Sequence, residues 1–277
     1  MKYSLIAFDL DGTLLRDDKS ISRENLDALR AAADRGMILV PATGRIFRGV
    51  PDAVCFIPGM RYYITCNGAH VYDAIQGTTL FSAEIDNALA VRLMEHMDTL
   101  DVVYDCYKNS WGYVSREMYE RAAEYIGDEG IAKLFYRTRS PVVPDLKTFI
   151  IKEGGGIQKT QMFFRDPRAR KRELELLPKL FPEVAVSSAV ATNIEINSRD
   201  ASKGAALTAL CEKLGIPMER VAAFGDGTND IGMLRAAGLG VAMGNADFFV
   251  QAAADAVTED NERNGFAMMM EKLLAGD

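Results

Sequence analysis

The fold is decided by the stretch Leu5-Ile6-Ala7-Phe8-Asp9-Leu10-Asp11-Gly12-Thr13-Leu14. Its first four residues form a short apolar run of the kind that fills a buried strand. Asp9 and Asp11 lie two residues apart, so an extended chain would point both carboxylates the same way. Such a pair is costly unless a cation lies between the two groups, and Mg2+ suits oxygen ligands. The same residues also fit an ordinary turn, so the choice between a metal site and a turn depends on the rest of the sequence.

The pattern beyond this stretch predicts an α/β fold with a doubly wound parallel sheet. A helix begins at Ser22 and stops at Gly36, and the next apolar run covers residues 37–40. The order strand, helix, strand implies a crossover and a parallel sheet, whose strands are buried on both faces. The same alternation returns later, with a helix predicted at 201–214 and a strand at 220–224.

The middle of the chain follows a different pattern. Residues 62–66 are predicted as a third strand that ends at Asn67-Gly68, and from residue 85 to about 188 paired strands mix with helices. This mixture predicts an α+β module inserted into the α/β domain. Gly154-Gly155-Gly156 in this module lacks the following lysine of a phosphate-binding loop, so we interpret it as a flexible loop.

The composition limits the classes of function. The chain has 277 residues and a formal charge of −7 without a basic block, which argues against a nucleic-acid partner. Four widely spaced cysteines without a C-x-x-C pair predict reduced thiols in the cytoplasm. No signal peptide or membrane-spanning run is recognisable, so we expect a cytoplasmic protein without a membrane partner. The two histidines, His70 and His96, are interpreted as structural, and the oligomeric state is open.

Polar clusters follow the ends of several predicted strands. Ligands of open α/β sheets bind outside the carboxyl ends of the strands, so these clusters should converge on one crevice. They are Asp9 and Asp11, Thr43-Gly44-Arg45, Asp226, Asn229 and Asp230, with Lys203 at a nearby helix start. These groups suit phosphoryl transfer, because they supply a nucleophilic carboxylate, a proton donor, further carboxylates for Mg2+, a hydroxyl and a cation. Each cluster alone also fits a turn or an exposed charge, and the prediction rests on their joint occurrence.

Together these motifs resemble the haloacid dehalogenase-like superfamily and, within it, the Cof-type phosphatases with a type C2 cap. The resemblance spans the chain, through Asp9-Leu10-Asp11-Gly12-Thr13-Leu14-Leu15, Thr43-Gly44-Arg45, Lys203-Gly204 preceded by Glu195-Ile196, Gly225-Asp226-Gly227-Thr228-Asn229-Asp230 and Val241-Ala242-Met243-Gly244-Asn245-Ala246. It implies a Rossmann-like core in two parts, residues 1–83 and 191–277, around a cap at 84–190. Such a cap closes over the leaving group and supplies specificity.

The resemblance also implies a role for each site residue. Asp9 is expected to be the nucleophile and a Mg2+ ligand. Asp11 is expected to protonate the leaving oxygen, to activate water later, and to offer its backbone carbonyl to the metal. The remaining expectations are Asp226 and Asp230 at the metal, Thr43, Gly44 and Arg45 at the phosphate or substrate, Lys203 as the balancing cation, Asn229 as the group orienting the phosphate or Lys203, and Asn67 and Gly68 in a loop near the substrate.

The expected activity is Mg2+-dependent hydrolysis of small phosphorylated metabolites, sugar phosphates or related phosphomonoesters, through an aspartyl-phosphate. A phosphomutase or another phosphotransferase would share this chemistry and stays open. A non-catalytic ligand-binding protein on the same fold is a third alternative, against which the intact set of nucleophile, acid and cation argues. Dehalogenation is not expected, because the carboxylate of Asp11 two residues after the nucleophile belongs to phosphoryl transfer.

Overall fold

The computed structural model describes residues 2–276. The strands are β1 (Leu5–Phe8), β2 (Ile38–Pro41), β3 (Tyr62–Thr65), β4 (His70–Asp73), β5 (Thr78–Ser82), β6 (Val102–Lys108), β7 (Trp111–Ser115), β8 (Arg139–Val142), β9 (Lys159–Phe164), β10 (Val184–Ser187), β11 (Asn193–Ser198), β12 (Val221–Gly225), β13 (Leu239–Ala242) and β14 (Ala256–Val257). The helices are α1 (Arg23–Asp34), α2 (Asp52–Cys55), α3 (Asn87–Met97), α4 (Arg116–Ile126), α5 (Glu129–Thr138), α6 (Leu146–Glu153), α7 (Pro167–Leu180), α8 (Lys203–Leu214), α9 (Ile231–Ala236), α10 (Phe248–Gln251) and α11 (Gly265–Ala275). They form two compact units.

The first unit comprises residues 2–43, 50–81 and 202–276. Its main sheet has five parallel strands in the order β14-β13-β12-β1-β2. β1 lies inside this sheet, with Leu5 opposite Val221 of β12 on one side and Ile38 of β2 on the other. All four residues of β1 are buried, as expected for an apolar run in a parallel sheet. The carboxyl end of β1 therefore has neighbouring strands on both sides. In such folds, ligands bind just outside the carboxyl ends of the strands.

Helices pack on both faces of the main sheet. On one face, Leu5 joins a buried cluster with Leu207 of α8 and Met233 of α9. On the other face, the ring of Phe8 lies 5.5 Å from the ring of Phe266 in α11, and α11 packs beside α1. Successive residues of a strand point to opposite faces, which explains why neighbouring apolar residues reach different helices. The predicted doubly wound α/β fold is confirmed.

A smaller sheet of β3, β4 and β5 belongs to the same unit. β3 runs antiparallel to β4, and a single parallel bridge between Ala42 and Ile64 links it to the end of β2. The sequence predicts β3 as a third strand after β1 and β2, yet its continuous ladder is with β4. The reason is the tight turn at residues 66–68, which folds the chain directly back onto β3.

The second unit comprises residues 44–49 and 82–201. Its sheet has the order β10-β11-β9-β6-β7-β8, and all neighbouring pairs are antiparallel except β7 and β8. One face carries Tyr104, Met162 and Ile194 against α3, α6 and α7. The opposite face carries Val103 and Phe163 against α4 and α5. This unit is the inserted α+β module predicted from the mixture of paired strands and helices.

The bounds of the two units differ from the predicted division. β11 pairs with β9 and β10, so the second unit continues to residue 201 and does not end at 190. An alternating strand such as β11 would suit a sheet of either unit, and its partners lie far away in sequence. Residues 44–49 also belong to the second unit, although the sequence places them within the first part of the core.

The structure shows two further features of the chain. Its four cysteines are free thiols, three of them buried and Cys55 half-buried. Within residues 2–276, no helix combines the length and the apolar character that crossing a bilayer requires.

Candidate active site

A buried ammonium group lies between two carboxylates at the carboxyl end of β1. Asp9 is the first residue after β1 and is 6% exposed. Lys203 Nζ donates hydrogen bonds to Asp9 Oδ1 and to Asp230 Oδ1, each at 2.6 Å. Lys203 is the first residue of α8, which is capped by the Ser202 hydroxyl accepting a hydrogen bond from the Ala205 N–H. The ammonium group therefore has two carboxyl partners, and a buried lysine needs such pairing.

The turn after β12 supplies Asp226 and Asp230. Asp230 Oδ2 accepts hydrogen bonds from the N–H groups of Asp226 at 3.0 Å and Gly227 at 2.9 Å. A side chain at Gly225 is excluded, since its Cβ would lie 2.4 Å from Asp230 Cβ. Asp226 Oδ1 accepts a hydrogen bond from Thr13 Oγ1 at 2.8 Å, which ties the turn to the chain segment after β1.

Crowding and burial raise the pKa values of two of these carboxyl groups. Burial raises the pKa of Asp9 to about 8; Lys203 opposes this rise, and the charges of Asp230 and Asp226 reinforce it. Burial also raises the pKa of Asp226 to about 6, against the hydrogen bond from Thr13. For Lys203, burial acts toward a lower pKa, but Asp230 and Asp9 outweigh it and the pKa is raised, so the ammonium stays charged. Raised pKa values of buried carboxyl groups indicate that the site lacks the positive charge needed to balance them.

The same carboxylates could hold a divalent cation. Asp9, Asp226 and Asp230 each offer an oxygen, and these three atoms lie within 4.8 Å of one another. Carboxylate oxygens are the ligands that Mg2+ prefers, so the donor set fits this ion. Asp230 already accepts three hydrogen bonds, from Lys203 and from two backbone N–H groups. Asp9 and Asp226 therefore suit direct ligation better, and Asp230 suits a supporting role.

Gly12 and Asn245 hold the segment after β1 against Asp226. A Cβ on Gly12 would lie 2.3 Å from Asp226 Oδ2, and Gly12 has a φ of 83°, which favours glycine. Asn245 Nδ2 donates a hydrogen bond to Gly12 O at 2.9 Å and lies 3.5 Å from Asp226 Oδ2. Asn245 and Thr13 lie within the recognised motifs, but no role was predicted for either residue. Their position inside the motifs was the only available signal, because their contacts are long-range.

Asp11 is not among the three carboxylates whose oxygens lie within 4.8 Å of one another. Its side chain is 38% exposed, and Asp11 Oδ1 lies 3.0 Å from Lys19 Nζ. The prediction that Asp9 and Asp11 point the same way assumes an extended chain. The chain leaves β1 after Phe8 and turns at Gly12, so this assumption does not set the direction of the Asp11 side chain. The proposed role of Asp11 as a proton donor remains a prediction.

Thr43, Asn67 and Asn229 are linked by hydrogen bonds. Thr43 is buried after β2; its N–H donates to Ile64 O at 2.9 Å, and its carbonyl accepts from the Asn67 N–H at 3.1 Å. Asn229 Nδ2 donates to Asn67 Oδ1 at 3.2 Å. The turn that follows β3 thus joins Thr43, from the predicted motif after β2, to Asn229, from the predicted motif after β12.

Gly44 and Arg45 form hydrogen bonds within the second unit. Gly44 O accepts a hydrogen bond from Lys159 Nζ at 3.0 Å, and the same ammonium donates to Glu195 Oε1 at 2.5 Å. Arg45 Nη1 donates to Gly49 O at 3.0 Å. These contacts hold residues 44–49 on the sheet of that unit, and the predicted substrate-binding role of Gly44 and Arg45 remains a prediction.

Comparison with known proteins identifies relatives over nearly the whole chain. Residues 6–270 match the family described as haloacid dehalogenase-like hydrolase. The chain is 33% identical to phosphatase YwpJ of Bacillus subtilis strain 168, covering 98% of this chain and 99% of the relative. It is 31% identical to the 5-amino-6-(5-phospho-D-ribitylamino)uracil phosphatase YcsE of the same strain, covering 95% and 92%. It is 30% identical to the pyridoxal phosphate phosphatase YbhA of Escherichia coli strain K12, covering 98% of each.

Solved structures agree with this assignment. A haloacid dehalogenase-like hydrolase from B. subtilis superimposes with a TM-score of 0.79 at 32% identity, covering 98% of this chain and 99% of the other. One from Bacteroides thetaiotaomicron gives a TM-score of 0.84 at 25% identity, covering 98% and 100%. The chain therefore belongs to the haloacid dehalogenase-like hydrolase family, among its Cof-type phosphatases, and is an enzyme that acts on phosphate monoesters.

Proposed function

We propose that this enzyme is a Mg2+-dependent phosphatase that hydrolyses small phosphorylated metabolites through an aspartyl-phosphate on Asp9. The observation that carries the proposal is the placement of Asp9, buried at the end of β1 with Lys203 Nζ at 2.6 Å. A carboxylate beside a fixed ammonium can approach a phosphoryl group whose own charge would otherwise repel it. The raised pKa values of Asp9 and Asp226 support a bound cation in the working enzyme.

The proposed reaction has two steps. In the first, a carboxylate oxygen of Asp9 bonds to phosphorus, the ester P–O bond breaks, and Asp11 gives its proton to the leaving oxygen. In the second, Asp11 takes a proton from water, the water oxygen bonds to phosphorus, and the bond to Asp9 breaks to release phosphate. Lys203 keeps its charge throughout and balances the charge of the transferring group.

Residues of this chain would bind the phosphoryl group and the metal. We assign Thr43 to the phosphoryl oxygens, on the basis of its burial at the end of β2. Asp9 and Asp226 would hold Mg2+ directly, with Asp230 supporting them and the Asp11 carbonyl as a further ligand. When bound, the ion supplies positive charge that stabilises the phosphoryl oxygens in the transition state.

The proposed substrates are sugar phosphates or related phosphomonoesters. Two of the relatives carry names that specify a phosphoribitylamino-uracil and pyridoxal phosphate, which are both small phosphate monoesters. We propose that the second unit selects among such leaving groups, as the resemblance to capped phosphatases implies. The free thiols support a cytoplasmic location.

The test is release of inorganic phosphate from a panel of sugar phosphates, nucleotides and cofactor phosphates, with Mg2+ and with EDTA. We expect Mg2+-dependent release that Asp9→Asn abolishes. Full activity of the Asp9→Asn variant would contradict the mechanism. Phosphate transfer to a sugar hydroxyl in preference to water would replace the phosphatase assignment with a phosphotransferase. A folded wild-type protein that turns over neither reaction would contradict both.

A further inference from the structure

The turn between β3 and β4, residues 66–68, has an unusual backbone conformation. Cys66, Asn67 and Gly68 have consecutive positive φ values of 55°, 59° and 92°. Glycine adopts this region freely and asparagine tolerates it, whereas a cysteine there is uncommon. Such conformations persist only where surrounding contacts hold them, and they concentrate at functional sites. We therefore expect the contacts of this turn to join it to residues of the active site.

The first contacts join the turn to two predicted phosphate-site residues. The Asn67 N–H donates to Thr43 O at 3.1 Å, and Asn67 Oδ1 accepts from Asn229 Nδ2 at 3.2 Å. A left-handed conformation at Asn67 thus presents its N–H to one segment and its side-chain oxygen to another. The amide of Asn67 is thereby engaged in fixing the side chain of Asn229.

The second contact joins the turn to the beginning of α8. A Cβ on Gly68 would lie 2.2 Å from both C and O of Ser202 and 2.6 Å from Lys203 N. The first turn of α8 also approaches α9 closely, since a Cβ on Gly204 would lie 2.6 Å from Gly232 C. Two close backbone approaches therefore fix the first turn of α8, and with it the base of the Lys203 side chain.

We propose that the turn at residues 66–68 is a positioning element, which fixes Thr43, Asn229 and Lys203 in one arrangement around Asp9. The inference rests on the proposed function and goes beyond it, because it gives the turn a role that is exerted through other residues. Phosphoryl transfer depends on alignment, and a displacement of about 1 Å can lower a rate by about 100-fold. Changes in this turn should therefore affect kcat more than KM.

The main test compares Gly68→Ala with Gly77→Ala. Gly77 has a φ of 68° in the turn before β5, so alanine is strained at both positions, but a Cβ at Gly77 meets nothing closer than the Tyr72 hydroxyl at 3.9 Å. With p-nitrophenyl phosphate and Mg2+, we expect Gly68→Ala to lower kcat by about 100-fold with a much smaller change in KM. Gly77→Ala should keep the wild-type kcat. Equal kcat values in the two variants would overturn the proposal.

A second test removes the side chain of Asn67 without straining the backbone. Glycine accepts the left-handed conformation, so Asn67→Gly should fold and remove the acceptor of the hydrogen bond from Asn229. If the hydrogen bond between Asn67 and Asn229 matters for kcat, the loss in kcat of the Asn67→Gly/Asn229→Ala double variant should be smaller than the product of the two single losses. Multiplicative losses in the double variant would contradict this coupling, since they would mean that Asn67 acts independently of Asn229.

A readout that does not need turnover separates this inference from the proposed function. Hydrogen exchange of the backbone amides at residues 202–206 should be faster in Gly68→Ala than in wild type, and unchanged in Gly77→Ala. If the wild-type protein shows no phosphatase activity, the proposed function fails, and faster exchange would still support the structural half of the inference. Unchanged exchange in Gly68→Ala would overturn it, whatever the activity.

Discussion

The replacement Asp9→Asn should stabilise the metal-free protein, and increasingly so as the pH rises. Asp9 is buried beside Asp226 and Asp230, and only Lys203 opposes the cost of ionising it. Asparagine has nearly the same shape and carries no charge, so it removes this cost. Lys203 keeps Asp230 as its partner in the variant. A residue that is essential for activity would then be unfavourable for stability, as active-site groups often are.

The size of the effect follows from the pKa of Asp9, which rises from 3.8 to about 8 on folding. The folded state then holds a proton that the unfolded state releases, so this stabilisation is complete below about pH 4 and is lost as the pH rises through about 8. One proton corresponds to a loss of up to about 1.4 kcal/mol in the free energy of unfolding per pH unit. The variant does not lose stability in this way. The difference in the free energy of unfolding between variant and wild type should therefore grow by up to about 1.4 kcal/mol per pH unit.

The assay is calorimetry of both proteins in EDTA at pH values spaced between about 4 and 8. Each kcal/mol should separate the unfolding temperatures by about 2–4 °C for a unit of this size. Asp34→Asn, which makes the same replacement at the exposed end of α1, is the matched control. Parallel curves for Asp9→Asn and wild type would refute the reasoning. Fluorescence is unsuitable here, because the single tryptophan lies in the second unit.

Three further predictions concern other contacts. Asp226→Asn should raise the Mg2+ concentration needed for half-maximal phosphate release by at least about tenfold. An unchanged Mg2+ titration would remove Asp226 from the metal site. Gly12→Ala should abolish activity, since its Cβ would collide with Asp226. Gly36 also has a positive φ, but a Cβ there meets no atom within 4 Å, so Gly36→Ala should stay active. Equal activities of the two variants in steady-state assays would contradict the steric argument. Lys159→Met should destabilise the second unit by about 3–5 kcal/mol, because it removes the ammonium charge that lies 2.5 Å from the buried carboxylate of Glu195. Urea unfolding followed by tryptophan fluorescence measures this loss, and a Lys159→Met/Glu195→Gln variant that recovers no stability would contradict the charge argument.

The sheet and the convergence of its motifs could be predicted because both follow from local patterns. The apolar run of β1 and the acidic turn after β12 are each visible in a few consecutive residues. The rule that ligands bind at the carboxyl ends of parallel strands then predicts that Asp9 and Asp226 lie close together. The structure places one oxygen of each within 4.8 Å of the other.

Other features could not be predicted because they depend on distant partners. The sequence assigns β11 to the core, but its hydrogen bonds are with β9 and β10 of the second unit. Asn245 is separated from Gly12 by more than two hundred residues, and nothing near it in sequence indicates their hydrogen bond.

The most direct test of the account is to trap the covalent intermediate. The enzyme is mixed with substrate and Mg2+, quenched in acid during turnover, and digested with trypsin, which cleaves after Lys2 and Arg16 to release the peptide 3–16. The account predicts one phosphoryl group on this peptide, located on Asp9 by fragmentation and absent from Asp9→Asn. Steady-state turnover without any phosphorylated peptide, or with the group on another residue, would contradict the role of Asp9 as the nucleophile.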